Sequence, residues 1–401
     1  MGLIRRASRL AVAVGGVALC ASALPSQQRS VHAEAAAPPV RFREHVVAQQ
    51  VPSGYQVIPV DMNRDGRLDL VGLGTAKQMD LNWYESPSWT PHLITNQLTS
   101  LINAAAHDID GDGIPELAVQ HGFSTAIKTS RGGVSLLTHG PTPDAPWSIH
   151  EIDTLPTSHR IRWMVAERDR TILVNAPLLG QSADATDAHA PNRIVFYEGP
   201  DWKRRPLGEV DGLLHGIQPT NQPPFARGPA DVLLSAGFTG VVQHEWRKGR
   251  WRSTLLTGGS PAAWPKSGSS DVAVGRHGRT PLIVTLEPWH GNEVVVYRRE
   301  KRSWIRQVLD DQLTDAHALV TGDFDGSGRS AIVAGERQGQ RSVRLYWPPS
   351  RLGEPWTAQV LDAALNASGC SVADINSDGR LDIVCIGSAQ PGLKWYENVG
   401  R

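Results

Sequence analysis

The stretch Asp61-Met62-Asn63-Arg64-Asp65-Gly66-Arg67-Leu68-Asp69-Leu70-Val71 returns almost unchanged as Asp374-Ile375-Asn376-Ser377-Asp378-Gly379-Arg380-Leu381-Asp382-Ile383-Val384. A third version, Asp108-Ile109-Asp110-Gly111-Asp112-Gly113-Ile114-Pro115-Glu116-Leu117, lies between them. In each, oxygen-bearing side chains alternate, a glycine permits a tight turn, and one more carboxylate opens an apolar, strand-like run. Alternate side chains on such a turn can all point at one hard cation, which is calcium chemistry. The expected calcium ligands are Asp61, Asn63, Asp65 and Asp69; Asp108, Asp110, Asp112 and Glu116; and Asp374, Asn376, Asp378 and Asp382. The alternative is three polar turns that bind nothing. A partial copy keeps Asp323 and Asp325, but Ser327 and Ala331 replace the later ligands, so weak or no binding is expected there.

A local pattern that recurs calls for a search at longer period. Trp89, Trp147, Trp202, Trp251, Trp304 and Trp356 recur every 49 to 58 residues, each followed five positions later by Ile or Leu. Phe42, followed by Val46 and Val47, supplies a seventh copy near the start of the chain. Aromatic strand-like pieces precede most copies, such as Asn82-Trp83-Tyr84-Glu85, and the chain stops on one, Lys394-Trp395-Tyr396-Glu397. The last unit therefore lacks its Trp-type strand, and the first such strand lacks its unit. Ring closure accounts for both, with residues 40–50 completing the last sheet. Each unit of about fifty residues reads as four short strands without helical period. The expected fold is all-β, a seven-bladed β-propeller, its blades starting near residues 53, 101, 159, 214, 266, 316 and 368. A closed ring also hides the sheet edges that would otherwise recruit another chain, and a monomer is expected.

The acidic loop followed by an apolar strand resembles the FG-GAP or VCBS repeat. That resemblance implies a calcium-bearing propeller, as in integrin α-chain heads and many bacterial exported proteins. It covers essentially all of residues 40–401. It speaks to fold more than to function.

Arg5, Arg6 and Arg9 precede an apolar run from Leu10 to Leu24, the layout of a secretory signal. Residues 1–35 are expected to be that signal and 36–401 the propeller, with cleavage after Ala23 or after Ala35. The product would be secreted or periplasmic, with no membrane span. Lys+Arg equals Asp+Glu at 40 each; removing four Arg and one Glu with the leader leaves 36 against 39, a net charge near −3. So mild a charge argues against nucleic acid as a partner. Cys370 and Cys385 flank the turn of the last unit, and in an oxidising compartment they form either a cross-strand disulfide or two buried thiols.

Calcium loops that join first and second strands share one face of the ring, so the starts of first strands lie on the other. Three such starts carry histidine: His159-Arg160-Ile161, His215-Gly216-Ile217 and His317-Ala318-Leu319. First strands line the channel of a propeller, so His159, His215 and His317 could meet on zinc with an open fourth position. Alternatively they are polar channel residues bonded to water or to one another. The loop Glu287-Pro288-Trp289-His290-Gly291-Asn292 falls on the same face. In it Glu287 or His290 could act as general base and Trp289 could stack on a sugar, with Asn292 beside it. Arg160 and Arg337 could hold an anionic group. The bland alternative is a rim of hydrogen-bonded turn residues.

The phrases around His159, His215, Glu287–Asn292 and His317 also resemble the propeller part of aldos-2-ulose dehydratase-like proteins. That resemblance implies metal-assisted elimination beside a sugar carbonyl in the channel mouth. Two functions follow: a secreted carbohydrate lyase or dehydratase, or a non-catalytic propeller that binds carbohydrate or protein. No Gly-x-Ser-x-Gly elbow supports a serine hydrolase.

Overall fold

The structure is a computed structural model, and it describes residues 38–167, 170–183, 189–226 and 228–401. The expected signal segment lies outside the described residues. Among them the strands form seven four-stranded antiparallel sheets and one two-stranded ribbon. The innermost strands are Gly54–Val60, Asn103–His107, Ser158–Glu167, Leu214–Thr220, Asp271–His277, Ala316–Gly322 and Ala367–Ala373. Each packs beside the inner strands of its two neighbours, so the seven close an unbroken ring around a channel.

The closing blade is assembled from both chain ends. Its sheet order is Arg41–Ala48, Leu393–Gly400, Asp382–Gly387, Ala367–Ala373, with His45 opposite Trp395. This is the closure read from the displaced Trp-type strand. Blade 5 begins later than residue 266: its inner strand starts at Asp271. Ser260–Pro261 and Ser267–Gly268 instead form the small ribbon. Pro261 and Pro265 have no N–H to give a ladder, which keeps this stretch out of the main sheet.

Alternation of apolar residues in the middle strands fills the seams between blades. Met164, Ile172 and Val174 of blade 3 pack with Leu214, Ile217 and Leu233 of blade 4. Trp147 is buried among such residues, and its removal would cost roughly 3–5 kcal/mol. Polar latches cross three seams. The Tyr197, Tyr346 and Tyr396 hydroxyls donate to Asp153, Asp310 and Asp362 of the preceding blade at 2.6, 2.7 and 2.6 Å. Each Asp directly follows the Ile or Leu of the Trp repeat.

Cys370 and Cys385 sit directly opposite each other in the closing blade and are disulfide-bonded, with Cα atoms 4.1 Å apart.

Candidate functional site

The acidic loops lie at one end of the channel. In blade 1 both Asp61 oxygens accept backbone N–H groups, Oδ1 from Asp65 at 3.2 Å and Oδ2 from Gly66 at 2.8 Å. Asp108 does the same with Gly111 and Gly113, and Asp374 with Asp378 and Gly379. These bonds curl each loop, and Gly66, Gly113 and Gly379 take φ values of 84, 92 and 84°, which only glycine adopts freely. At Gly66 and Gly379 a Cβ would meet nothing within 4 Å, so conformation rather than space demands glycine.

Asp69, Glu116 and Asp382 are buried under the curl. Burial, with the nearby Asp65 and Asp61 charges, pushes Asp69 up to about 6, and burial raises Glu116 and Asp382 as well. Oxygens of Asp108, Asp110 and Glu116 lie within 4.8 Å of one another. Carboxylates gathered so closely fit a divalent cation, which would remove their mutual repulsion. Asn63 donates to Glu85 at 3.2 Å, and Arg380 is paired with Asp378, so blades 1 and 7 each have one expected ligand also engaged elsewhere. In blade 6, Asp323 Oδ2 accepts from Gly328 at 2.8 Å, while its Oδ1 is buried without a partner.

The opposite end is built by one repeated irregularity. In five blades the inner strand slips register by one residue just after it starts, leaving Tyr55, His159, His215, His317 and Ser368 unpaired in the ladder. A bulge re-aims its side chain. Here the bulged residues face one another across the channel and form a floor. The His159 and His215 rings are 4.7 Å apart, His215 and His317 5.0 Å, and Tyr55 and His317 4.9 Å.

The metal-like cluster differs from the expected one. His215, His290 and His317 bring ligand atoms within 4.8 Å of one another, and His159 stands outside this set. His290 comes from the loop between the second and third strands of blade 5, so it reaches the floor from the rim. His159 is turned toward blade 1, its Nε2 3.1 Å from both Tyr55 Oη and an Arg160 nitrogen.

Two members of the cluster hold their Nδ1 against a backbone acceptor. For His215 this is Ser270 O at 3.1 Å and for His317 Ser368 O at 2.5 Å; the His290 Nδ1 instead lies between the Asp315 carboxylate at 3.2 Å and the Arg337 guanidinium, a donor, at 3.0 Å. A backbone acceptor fixes a metal-binding imidazole so that Nε2 presents its lone pair. Protons alone can satisfy part of the cluster, since His290 Nε2 lies 3.2 Å from His215 Nε2. His317 Nε2 is still left buried without a partner. An ion at the centre would accept all three lone pairs, and the donor set fits zinc. Burial, with Arg337, Arg160 and the neighbouring imidazoles, pushes His317 and His215 well below the usual histidine range. Burial and Arg337 lower His290 to about 4, so all three are neutral at pH 7, the form that ligates a metal.

Other expected site residues are redistributed. Glu287 does not border the mouth. It is fully buried inside blade 5, where Thr285, Tyr297 and Arg306 donate to it at 2.7, 2.7 and 2.9 Å. A carboxylate engaged in this way is scaffold, because strand alternation turns it into the blade rather than the channel. His290 is withdrawn from the base role by its place in the cluster. Asn292 is exposed and donates to Asp311 O at 2.7 Å, a turn contact away from the cavity. Arg337 lines the mouth, but Asp315 takes its guanidinium with two bonds of 3.0 and 2.8 Å, so it is not free for an anion. Trp289 does line the mouth, beside His290 at 4.7 Å. The mouth is a cavity of about 450 Å³ that also takes in Phe123, His159 and His215. Tyr55 and Asp315 were missed. Aligning inner-strand starts would have found Tyr55, which occupies the histidine position in blade 1.

Residues 51–119 and 323–385 match the family model for the FG-GAP-like repeat. The chain carries FG-GAP-like repeats. Between these repeats, residues 131–300 match the model described as the aldos-2-ulose dehydratase β-propeller domain. Both resemblances read from the sequence are therefore present. No curated protein matches the chain. Among solved structures, Saccharomyces cerevisiae Sqt1 is similar with a TM-score of 0.54 at 10% identity, covering 86% of this chain and 84% of that one. BBS1N, solved in complex with ARL6DN, gives a TM-score of 0.55 at 13% identity, covering 90% and 98%. At such identities these likenesses speak for the propeller fold alone. No helix among the described residues is long and apolar enough to cross a membrane.

Proposed function

We propose that this protein is an exported, calcium-loaded propeller that carries out metal-assisted elimination on a carbohydrate at the histidine mouth. The observation that carries the reading is the cluster of His215, His290 and His317, with the Nδ1 of His215 and His317 on backbone carbonyls and the His317 Nε2 without a partner. Zinc held there would supply Lewis acidity to a substrate carbonyl oxygen. His159 is the imidazole left outside the cluster; burial and Arg160 keep it neutral. Its Nδ1 has no partner. That nitrogen is buried and Arg160 can donate to Nε2, so His159 supports the mouth rather than reaching the substrate, and a water in the mouth would take the proton from the carbon next to the carbonyl. The C–H electron pair becomes the new C=C bond, and the β-hydroxyl leaves as water after gaining a proton from that protonated water. Trp289 would offer its face to the sugar ring. The disulfide and the basic, apolar leader support export to an oxidising compartment. The acidic loops would each hold one calcium ion.

The test pairs metal analysis with turnover. Purified protein should retain about one zinc ion per chain, and a ketose with a β-hydroxyl should give the ultraviolet absorbance of an enone. Trp289→Ala should keep the zinc and lose most of the product, because the sugar loses its stacking face. Protein that binds no zinc at these histidines sinks the enzyme reading. One observation favours the alternative, a non-catalytic propeller for carbohydrate or protein: among the described residues lining the mouth there is no carboxylate to act as base.

A further inference from the structure

Beneath the histidine floor the channel continues as a second cavity of about 600 Å³. Its walls run to Pro59, Thr220 and Ala373, at the acidic-loop end of the inner strands. Two arginines of one strand, Arg160 and Arg162, project into it. Arg160 gives its NH1 to Tyr55 Oη at 2.9 Å, and its NH2 reaches only His215 Nε2 at 3.5 Å. Arg162 gives its NH1 to Asn103 Oδ1 at 2.6 Å and Ile161 O at 2.7 Å. Among the described residues no other guanidinium atom of Arg162 has a hydrogen-bond partner, and no carboxylate forms an ion pair with either arginine.

Two carboxylates share the lumen. Asp271 is close enough to be felt by both arginines, and its Oδ1 is occupied by the Val272 N–H at 2.8 Å. Asp231 Oδ2 accepts from Val165 N at 2.8 Å, nearer the open end. Burial and the Arg160 charge lower Arg162 to about 10, so it stays protonated at neutral pH. Two like charges enclosed side by side, with N–H groups turned to a cavity, are costly unless an anion joins them. The fork of a guanidinium suits a planar carboxylate. Hydrogen-bonding side chains, Gln218, Thr220, Asn221 and Ser371 among them, alternate along the wall with apolar ones such as Val274 and Val320, and its rings are Tyr55 and His317. That wall suits a hydroxylated molecule rather than an apolar acid.

We infer that the lumen binds a sugar acid, its carboxylate held by Arg160 and Arg162. This site does not depend on the elimination chemistry proposed for the mouth. The test is calorimetry on the full chain with D-galacturonate and its neutral counterpart D-galactose. The acid should bind about tenfold tighter or better, the worth of hydrogen bonds to a charged group. Arg162→Gln should erase that preference. Asp271→Asn should tighten binding of the acid, a gain that misfolding cannot imitate. Acid and neutral sugar binding equally, neither binding, or an unchanged preference in Arg162→Gln would each overturn the assignment. So would a preference seen only with zinc present in calcium buffer, since the carboxylate would then be held by metal at the histidines.

Discussion

Two arcs of the ring overlap at blade 6: blades 6, 7, 1 and 2 carry the acidic loops, and blades 3 to 6 carry the histidines. The family matches divide in a similar way, with FG-GAP-like stretches at 51–119 and 323–385 and the dehydratase-like stretch at 131–300, while His317 falls between them. Each acidic loop is complete within nine consecutive residues, so one blade suffices to build it. The histidine cluster needs blades 4, 5 and 6 held in register. Local sites can be copied blade by blade; a site shared among blades exists once, where the ring brings its parts together.

Buried charge holds both arcs, and breaking it should give the largest effects. Glu287→Gln in the histidine arc and Asp362→Asn in the acidic arc should each destabilise by about 3 kcal/mol. That is the low end for a buried pair, because Glu293 still faces Arg306 and Glu44 still faces Lys394. Melting would be measured, with zinc content unchanged in Glu287→Gln; loss of zinc there would restore Glu287 to the site. Burial alone would raise the Asp362 carboxyl, but Lys394, Tyr396 and backbone N–H groups outweigh it and hold it below the usual range. Its stabilisation is thus present above the unfolded value of about 3.9 and is lost as pH falls through the folded one. The acid limb of the stability curve should flatten in Asp362→Asn.

His215→Ala should come next, weakening zinc retention by more than about a hundredfold, beyond what loss of a supporting residue does. Calcium-dependent melting should be untouched in that variant. A loss of both metals together would dissolve the distinction between the two ends.

Calcium removal should be milder. If the loops bind in the range of extracellular modules, millimolar calcium adds roughly 0.4–1.4 kcal/mol per site. An unchanged melting temperature on chelation would make them polar turns. Smallest of all, Ser327→Asp should add one calcium to the stoichiometry, because Asp323 Oδ1 already lacks a partner. Calorimetry that counts no extra ion would show that Ala331 is the deciding loss.

The sequence carried the ring plainly, because Trp repeats and acidic loops are contiguous patterns and the unpaired strand at 40–50 has only one place to go. It carried the face of the histidines too, since topology alone separates strand starts from the loops that end them. It did not carry which histidines meet. The same backbone slip occurs at His159, His215 and His317, so nothing in the strand marks which ring turns toward Tyr55, and the reach of His290 depends on the Asp315–Arg337 pair from the next blade. Glu287 was misplaced for a related reason: it ends a strand, and one residue of alternation decides whether a side chain enters the channel or the blade.

The closing blade also sets a timetable. Arg43 and Glu397 meet across 354 residues of chain, and tying ends so far apart costs roughly 5 kcal/mol of chain entropy. The strand at Arg41–Ala48 emerges first from the ribosome yet has nothing to pair with until Leu393–Gly400 has followed. Throughout synthesis the growing ring therefore stays open at its last blade.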